Sequence, residues 1–202
     1  MHLGSRNCKA ERLYKFLCRH RADRIYLIGD IIEGHHIGRW PKYHDLVIRE
    51  LSEKGLDGTE IIYIPGNHDC FLRHHIGVFG NLHIRQRSNH FRPDGSIWLV
   101  AHGDETDFMH HGLWLWFLVL FERLTGRSLW EMLRKYFSGP IKRHGANYER
   151  KMRKLAEGYG GVICGHVHSP KIDGNYINAG DWTKHCTAVA EHHDGRFELL
   201  MG

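Results

Sequence analysis

The stretch Glu60-Ile-Ile-Tyr-Ile-Pro-Gly-Asn67-His68-Asp69 joins an apolar segment directly to a polar one. Residues 60–64 are rich in β-branched and aromatic side chains, which is typical of a strand that is buried on both faces. The proline and glycine that follow predict a turn. An amide, an imidazole and a carboxylate come next. The stretch therefore predicts a strand that presents polar groups at its carboxyl end.

Three further segments, 24–30, 96–104 and 161–168, repeat this form. They end in Gly29-Asp30, in His102-Gly103-Asp104 and in Gly165-His166-Val167-His168. Helical segments separate several of these strands, which indicates an α/β fold. Because the carboxyl ends of strands in such a sheet meet along one edge, we expect the polar groups to converge there.

The remaining sequence predicts two helices and three short strands. One helix is predicted from Asn7, which can cap it, with Ala10, Leu13, Phe16 and Leu17 on its apolar stripe. Pro41 opens a second helix that Gly55 ends. Short strands are predicted over 176–178, 186–191 and 196–200, with turns at Asp173-Gly174 and Asp194-Gly195. A mixed sheet or two packed sheets is expected.

Residues 107–158 interrupt the strand rhythm with three predicted helical segments. Leu113–Phe121 is apolar, Leu129–Phe137 is amphipathic and Lys142–Lys154 is basic. The segment lies between two predicted site loops, so we expect a helical cap inserted into a single domain that spans residues 1–202. Burial against the core or a dimer partner would explain the apolar run, but an acyl-chain groove that touches a membrane surface is the interpretation we favour.

Composition excludes several classes of protein. Hydrophobic residues make up 42% of the chain and charged residues 25%, as in an ordinary folded protein. The net charge of +5 is too small for a protein that coats nucleic acid. Between Arg123 and Lys154, ten Lys and Arg face only two acidic residues. No apolar run approaches the roughly 20 residues of a bilayer span, so we expect a cytoplasmic protein with at most peripheral membrane contact.

The polar groups after the strands are suited to divalent metal ions. A mixture of carboxylate, amide and imidazole ligands fits Mn, Fe, Co or Zn, whereas calcium prefers oxygen alone. One carboxylate can bridge two such ions while separate His and Asn ligands complete each of them. His166 and His168 stand two residues apart, which places both side chains on one face of an extended segment. A two-metal hydrolytic site is therefore plausible from the residues alone.

The same motifs carry a family resemblance. Gly29-Asp30, Gly66-Asn67-His68-Asp69, His102-Gly103 and Gly165-His166-Val167-His168 resemble those of the calcineurin-like metallophosphoesterases. That resemblance implies a four-layer α/β/β/α sandwich that holds two metal ions. The segments 2–6, 146–150 and 178–182 look like those of the UDP-2,3-diacylglucosamine hydrolase group, which cleaves the pyrophosphate of a nucleotide-linked glycolipid. The expected products are UMP and 2,3-diacylglucosamine 1-phosphate.

The resemblance also implies a role for each motif residue. Asp30 would bridge the two ions, His2 and His168 would hold the first, and Asn67, His102 and His166 would hold the second. Mn is the first choice of metal, with Fe, Co or Zn as alternatives. His68 would stabilise charge on the phosphate or protonate the leaving oxygen. Asp69 would either orient His68 or only cap the following turn.

The resemblance and the basic segment together suggest substrate contacts, and two rival functions stay open. The expected contact residues are Arg6, Asn147, Arg150, Arg153 and Lys154. The expected partners are a lipid-linked nucleotide sugar and the cytoplasmic membrane surface, and no nucleic acid; the oligomeric state is open. A metallophosphoesterase for another diester, nucleotide or phosphoprotein is the first alternative. A non-catalytic metal- or lipid-binding protein is the second.

The sequence departs from the family pattern at its start. The family begins with a strand and an Asp-x-His turn, whereas here Met1 stands in the x position before His2. A missed upstream start codon and a true truncation are the two explanations. We favour the first, since loss of a central strand would expose apolar sheet edges. As written, the first metal site lacks one ligand and is expected to bind its ion weakly.

Overall fold

The first sheet carries one pair of the expected site loops. The computed structural model describes residues 1–33, 40–106 and 138–202. The sheet has the order β1-β2-β4-β3, with β1 at Arg24–Ile28, β2 at Glu60–Ile64, β3 at Gly77–Phe79 and β4 at Leu82–Ile84. β1, β2 and β4 run parallel, and β3 is antiparallel to β4. Ile28 is in register with Ile64, so the loops after β1 and β2 leave from the same edge.

The second sheet carries the other pair of loops. Its order is β5-β6-β7-β9-β8, with β5 at Ser88–Phe91, β6 at Ile97–Ala101, β7 at Gly161–Cys164, β8 at Lys171–Asp173 and β9 at Tyr176–Asn178. β6, β7 and β9 are parallel, and β5 and β8 are antiparallel edge strands. Ala101 is in register with Cys164, so the loops after β6 and β7 also begin side by side.

Alternating side chains divide the core into layers. Ile61 and Tyr63 pack with the buried residues of helices α1, Ala10–Arg19, and α2, Lys42–Leu56. Ile62 and Ile64 face the other way and pack with Val100 and Ile163 of the second sheet. The opposite face of the second sheet packs against Tyr148 and Met152 of helix α3, Ser138–Leu155. The predicted four-layer α/β/β/α sandwich is confirmed.

A two-stranded hairpin closes the inter-sheet core at the end of the chain. β10, Thr187–Glu191, pairs antiparallel with β11, Phe197–Met201. Val189 and Phe197 pack against the apolar side chains between the two sheets. Both strands were predicted from the sequence, with bounds that differ by one residue at the ends.

The start of α1 differs from the prediction. The helix begins at Ala10 after Lys9, so Asn7 is not its cap, and no side chain caps it. The backbone N–H of Lys9 donates instead to the carbonyl of Trp182, which fixes the entry of the chain from a distant segment. Leu13 and Leu17 are buried as predicted, whereas Phe16 lies at the margin of the core.

The cap prediction is only partly within the described residues. Residues 107–137, with the helices predicted at Leu113–Phe121 and Leu129–Phe137, lie outside them. The basic helix predicted at Lys142–Lys154 is present but longer, from Ser138 to Leu155. It begins four residues earlier, which is compatible with Pro140 because this residue falls in the first turn, where a missing N–H costs no helical hydrogen bond.

Two short 3-10 helices follow the site loops of β2 and β6, at Cys70–His75 and Asp104–Thr106. Of the helices that the structure describes, none combines the length and the apolar composition that crossing a bilayer would require.

Candidate metal centre

The six predicted metal ligands lie together at the shared edge of the two sheets. His2, Asp30 and His168 offer ligand atoms that all lie within 4.8 Å of one another, and so do Asp30, His102 and His166. Asp30 belongs to both groups. A carboxylate placed between two sets of imidazoles is the arrangement needed to hold two neighbouring cations.

The first group is assembled from three distant segments. His2 Nε2 lies 3.2 Å from His168 Nε2 and 3.8 Å from Asp30 Oδ2. His2 reaches this place because its backbone N–H donates to the carbonyl of Asp30 and Leu3 bridges to Ile32. Burial lowers the pKa of His2 and lowers that of His168 to about 4. Both rings are therefore held neutral, the form in which imidazole binds a metal.

The second group contains the amide predicted as a ligand. His102 Nε2 lies 3.4 Å from Asp30 Oδ2 and 3.4 Å from Asn67 Oδ1. The ring of His166 stands edge-on to that of His102, with 5.1 Å between ring centres. At the other nitrogen, His102 Nδ1 lies 3.2 Å from the carbonyl oxygen of Ile28, to which an Nδ1–H would donate. That contact directs Nε2 toward the centre.

Asp104 and Asp107 follow His102 closely in the sequence, which makes both candidates for fixing its tautomer. Asp104 instead receives the guanidinium of Arg73 at 2.8 Å, and the group next to His102 Nδ1 is the backbone carbonyl of Ile28. Asp107 lies outside the described residues.

The backbone is strained at these ligands. His2, Asp30, His166 and His168 all have positive φ angles, between 49° and 66°. A non-glycine residue in this region costs on the order of 1–3 kcal/mol, so it persists only where surrounding contacts impose it. Four such residues in one cluster indicate that the chain is shaped to aim these side chains at a common point.

Close packing explains two of the neighbouring glycines. A Cβ atom on Gly29 would overlap the ring of His102, and one on Gly66 would overlap the carboxylate of Asp30. The sequence predicts a turn at Gly66. The structure adds that Gly29 and Gly66 leave the space in which the metal-binding side chains meet.

Asp69 ties the site loops together. Its fully buried carboxylate accepts hydrogen bonds from Ile31 N at 2.7 Å, Gly66 N at 2.6 Å and the Tyr63 hydroxyl at 2.5 Å. Ile31 and Gly66 belong to the loops after β1 and β2, and Tyr63 lies in β2 itself. Asp69 therefore fixes the position of Asp30 relative to Asn67.

Glu33 is a site residue that the sequence analysis missed. Its Oε1 lies 2.7 Å from His68 Nδ1 and its Oε2 lies 3.1 Å from His2 Nδ1. Glu33 thus links the imidazole expected to face the substrate with one expected to hold a metal. The signal available in the sequence was that Glu33 lies three residues after Asp30. The role of Glu33 depends on a loop that brings residues 2, 33 and 68 together.

Electrostatics keep both carboxylates ionised. Burial alone would raise the pKa of Asp30, but the hydrogen bond and charge of His102, with His68 and His2, hold it well below its usual range. Burial also opposes ionisation of Glu33, whose bonds to His2 and His68 lower its pKa to about 2. For His68, burial favours the neutral ring, but Glu33 raises the pKa above the ordinary value.

The donor set fits divalent metal ions. Asp30 would bridge, with His2 and His168 on one side and Asn67, His102 and His166 on the other, as the sequence predicts. The groups are a mixture of imidazole nitrogen and hard oxygen, and burial favours neutral imidazole at His2 and His168. Among the described side chains, Cys164 and Cys70 join none of these groups.

The predicted substrate-contact residues occupy different surroundings. Arg6 is exposed in the turn after His2, and Asn147 and Arg150 are exposed on α3 and bonded to each other at 2.6 Å. Arg153 is bound to Glu149, Asp173 and Asn175 on the outer side of the second sheet. Lys154 is exposed near the end of α3. The structure brings neither Arg153 nor Lys154 into contact with the metal-binding loops.

A buried tyrosine connects α3 with the centre. The hydroxyl of Tyr148 donates to the carbonyl of His102 at 2.8 Å, and its ring lies 5.6 Å from that of His166. Burial holds the pKa of this phenol well above its ordinary value, so it serves as a hydrogen-bond donor. The sequence marked this segment only as part of a resemblance.

Comparison with known proteins agrees with this geometry. Residues 4–170 match the family model described as calcineurin-like phosphoesterase. The chain is also similar to the UDP-2,3-diacylglucosamine hydrolase of Porphyromonas gingivalis (strain ATCC BAA-308 / W83), with 30% identity over 113 residues. That region covers 52% of this chain and 43% of the relative, so less than half of the relative is matched. From the length of the family match and the site that underlies it, the chain belongs to the calcineurin-like phosphoesterase family.

Proposed function

We propose that this protein is a two-metal hydrolase that cleaves the pyrophosphate bond of UDP-2,3-diacylglucosamine. The products would be UMP and 2,3-diacylglucosamine 1-phosphate. The observation that carries the reaction class is the shared position of Asp30 between two groups of imidazoles. The similarity to a relative with that name supports the choice of substrate.

The metal ions, when bound, would neutralise charge on the phosphate and make a water molecule more acidic. The chain supplies their ligands: Asp30 between them, His2 and His168 for one, and Asn67, His102 and His166 for the other. Mn²⁺ is the proposed metal because the site mixes imidazole nitrogen with hard oxygen ligands.

His68 is the proposed acid of the reaction. Its backbone N–H donates to Asp30 Oδ1 at 3.0 Å, which places the residue directly beside the bridging carboxylate. Because Glu33 occupies Nδ1, we assign the contact with the phosphoryl group to Nε2. A protonated ring can donate a hydrogen bond to a phosphoryl oxygen or pass a proton to the leaving oxygen.

Glu33 would position this acid. One carboxylate holds both His68 and His2, so the acid and a metal ligand are oriented by the same group. Its negative charge also favours the protonated form of His68. Outer hydrogen bonds of this kind typically affect activity or metal affinity by about 10–100-fold.

The substrate's outer parts would meet the rim near α3. Asn147 and Arg150 are exposed there, one residue and two residues from Tyr148, which contacts the His102 loop. An exposed guanidinium suits the pyrophosphate or an anionic headgroup. We propose peripheral contact with the cytoplasmic face of a membrane, because the substrate itself is a lipid.

Replacing Asp30 with Asn tests the proposal on the full chain. Hydrolysis of UDP-2,3-diacylglucosamine and of a small chromogenic phosphodiester is measured with Mn²⁺. We expect both activities to fall by at least about 10³-fold, because both ions lose their shared ligand. The matched control is Asp45→Asn, an exposed carboxylate on α2, which should change neither.

Measuring two substrates tests the reaction class and the choice of substrate separately. Cleavage of the diester without cleavage of the lipid would contradict the substrate and leave the reaction class standing. Retention of both activities in Asp30→Asn would contradict the site itself.

A further inference from the structure

Arg73 connects two site loops that belong to different sheets. It lies in the 3-10 helix Cys70–His75, after β2 of the first sheet. Its Nη2 lies 2.8 Å from both carboxylate oxygens of Asp104, which follows β6 of the second sheet. The same nitrogen lies 3.3 Å from the carbonyl of Pro65. One guanidinium therefore contacts both loops.

Each of the two contacted residues is two positions in the sequence away from a predicted metal ligand. Pro65 precedes Asn67 by two residues, and Asp104 follows His102 by two residues. Asn67 Oδ1 and His102 Nε2 are 3.4 Å apart, and both are assigned to the same ion. In the parts of the chain that the structure describes, no backbone hydrogen bond joins these two loops. Apart from the packing of β2 against β6, side-chain contacts therefore link these two loops.

We propose that Arg73 is a positioning residue that sets the separation of Asn67 and His102 and so the affinity of the ion they share. This inference rests on the proposed function and adds a residue to it. Asp104 is 5% exposed, so its carboxylate is held in one place, while the Arg73 side chain that pairs with it is 31% exposed. Among the described residues, the hydrogen bonds of Arg73 go to Pro65 and Asp104 and not to the segments of His2 and His168, which would hold the other ion.

The planar head group distinguishes arginine from lysine at this position. All three contacts are made by Nη2, whose two N–H bonds are held in the plane of the guanidinium, so their directions toward Asp104 and the Pro65 carbonyl are fixed together. A lysine ammonium at the end of a flexible chain keeps the charge but does not impose the same geometry. Arg73→Lys therefore removes the positioning while it retains the charge.

The test is a titration of the full chain with Mn²⁺ alone, read by calorimetry and by electron paramagnetic resonance. For Arg73→Lys, we expect the affinity for the ion assigned to Asn67 and His102 to fall by about tenfold or more. The affinity for the other ion should not change. The matched control is Arg92→Lys. Arg92 also holds a partly buried carboxylate, Glu191 at 2.6 Å, and its backbone N–H donates to Ser96, at the end of β6 opposite to His102. The Arg92→Lys variant should be less stable to denaturant, and its affinities for the two Mn²⁺ ions should match those of the parent chain.

A second variant keeps the test decisive if Arg73→Lys does not fold. Asp104→Asn should weaken the same ion, and adding Arg73→Lys to it should cause little further loss, because both act through one contact. Unchanged Mn²⁺ binding in a folded Arg73→Lys or Asp104→Asn protein overturns the proposal, as does an equal loss in Arg92→Lys. If the parent chain binds no Mn²⁺, the proposed function fails instead, and this inference with it.

Discussion

The molecule contains two clusters of His and acidic residues that are built differently. At the metal centre, four of the ligands have positive φ angles, and imidazoles approach one another around one carboxylate. The second cluster lies between the sheets, where His90 and Arg92 both bind Glu191, at 2.5 and 2.6 Å. None of these three residues has a positive φ angle.

The difference shows what each cluster is for. In the second cluster, the charges are paired, Tyr26 bonds His90 at 3.2 Å, and Arg92 lies over the rings of Trp98 and Phe197. Its groups come from β1, from β5 and the residue after it, from β6 and from the β10–β11 hairpin, so the cluster stabilises the contact between layers. At the metal centre, one carboxylate serves several imidazoles and the backbone is strained. Such a cluster by itself contributes little to the stability of the fold, and it is suited to bind cations.

The largest difference is expected for a histidine in each cluster. His68→Asn should lower kcat by about 10²–10⁴-fold, because the proposed proton donor is lost. Mn²⁺ stoichiometry should stay the same, since His68 is not an assigned ligand. The rate is measured with the lipid substrate, and metal is counted by titration.

His90→Asn is the matched control, because its ring is also partly buried and bonded to a glutamate. We expect its kcat to match that of the parent chain. A His68→Asn protein that keeps more than a tenth of the parent activity would remove His68 from the proposed mechanism.

A smaller effect, on stability, is expected at Glu191. Glu191→Gln keeps the shape of the side chain but removes the charge shared by His90 and Arg92, whose side chains are 13% and 14% exposed. Breaking such a pair on one side costs about 2–4 kcal/mol once partial exposure is allowed for. Denaturant unfolding measures this change, and activity per folded molecule should be unaffected. If Glu191→Gln lowered kcat and left unfolding unchanged, the two clusters would not differ in the way described.

Much of this contrast could be anticipated from the sequence. Strands β2, β6 and β7 are buried on both faces and β1 is half-buried, and each appears as an apolar run that ends sharply in polar residues. The parallel register of these strands then brings Asp30, Asn67, His102 and His166 to one edge. This is why the ligand set could be named before its geometry was known.

Other features depend on contacts between distant segments. β3, β4 and β8 have only three residues each, too few to show a periodicity. The cap of α1 was placed at Asn7 because a local rule cannot see that Lys9 N–H donates to Trp182. Glu33 and Arg73 are ordinary charged residues in the sequence. They acquire roles only when the loops meet, and for that reason the second cluster, built from 26, 90, 92 and 191, was also missed.

The smallest expected effect is on the rates at which the cysteines are alkylated. These rates test how well the packing beneath the metal-binding loops excludes solvent and reagent. Cys164 is fully buried at the end of β7, next to Gly165, and burial raises its pKa to about 11. Since alkylation requires the thiolate, a raised pKa slows it at neutral pH. At pH 8 only about one molecule in 10³ would carry the thiolate, and the fraction rises tenfold per pH unit up to the pKa. The exposed Cys18 and Cys70 should therefore react with iodoacetamide long before Cys164 in the folded protein.

Peptide mass spectrometry of time points at pH 7, 8 and 9 gives the rate for each cysteine. Cys8, which is buried in the first-sheet core with its pKa raised to about 11, is the control for slow labelling away from β7. If Cys164 reacted much faster than Cys8, the strained loops would open readily and the backbone strain at His166 and His168 would be released by local motion. Equal and slow labelling would mean that packing beneath the loops holds the strain in place, so that the metal ligands are fixed before any ion binds.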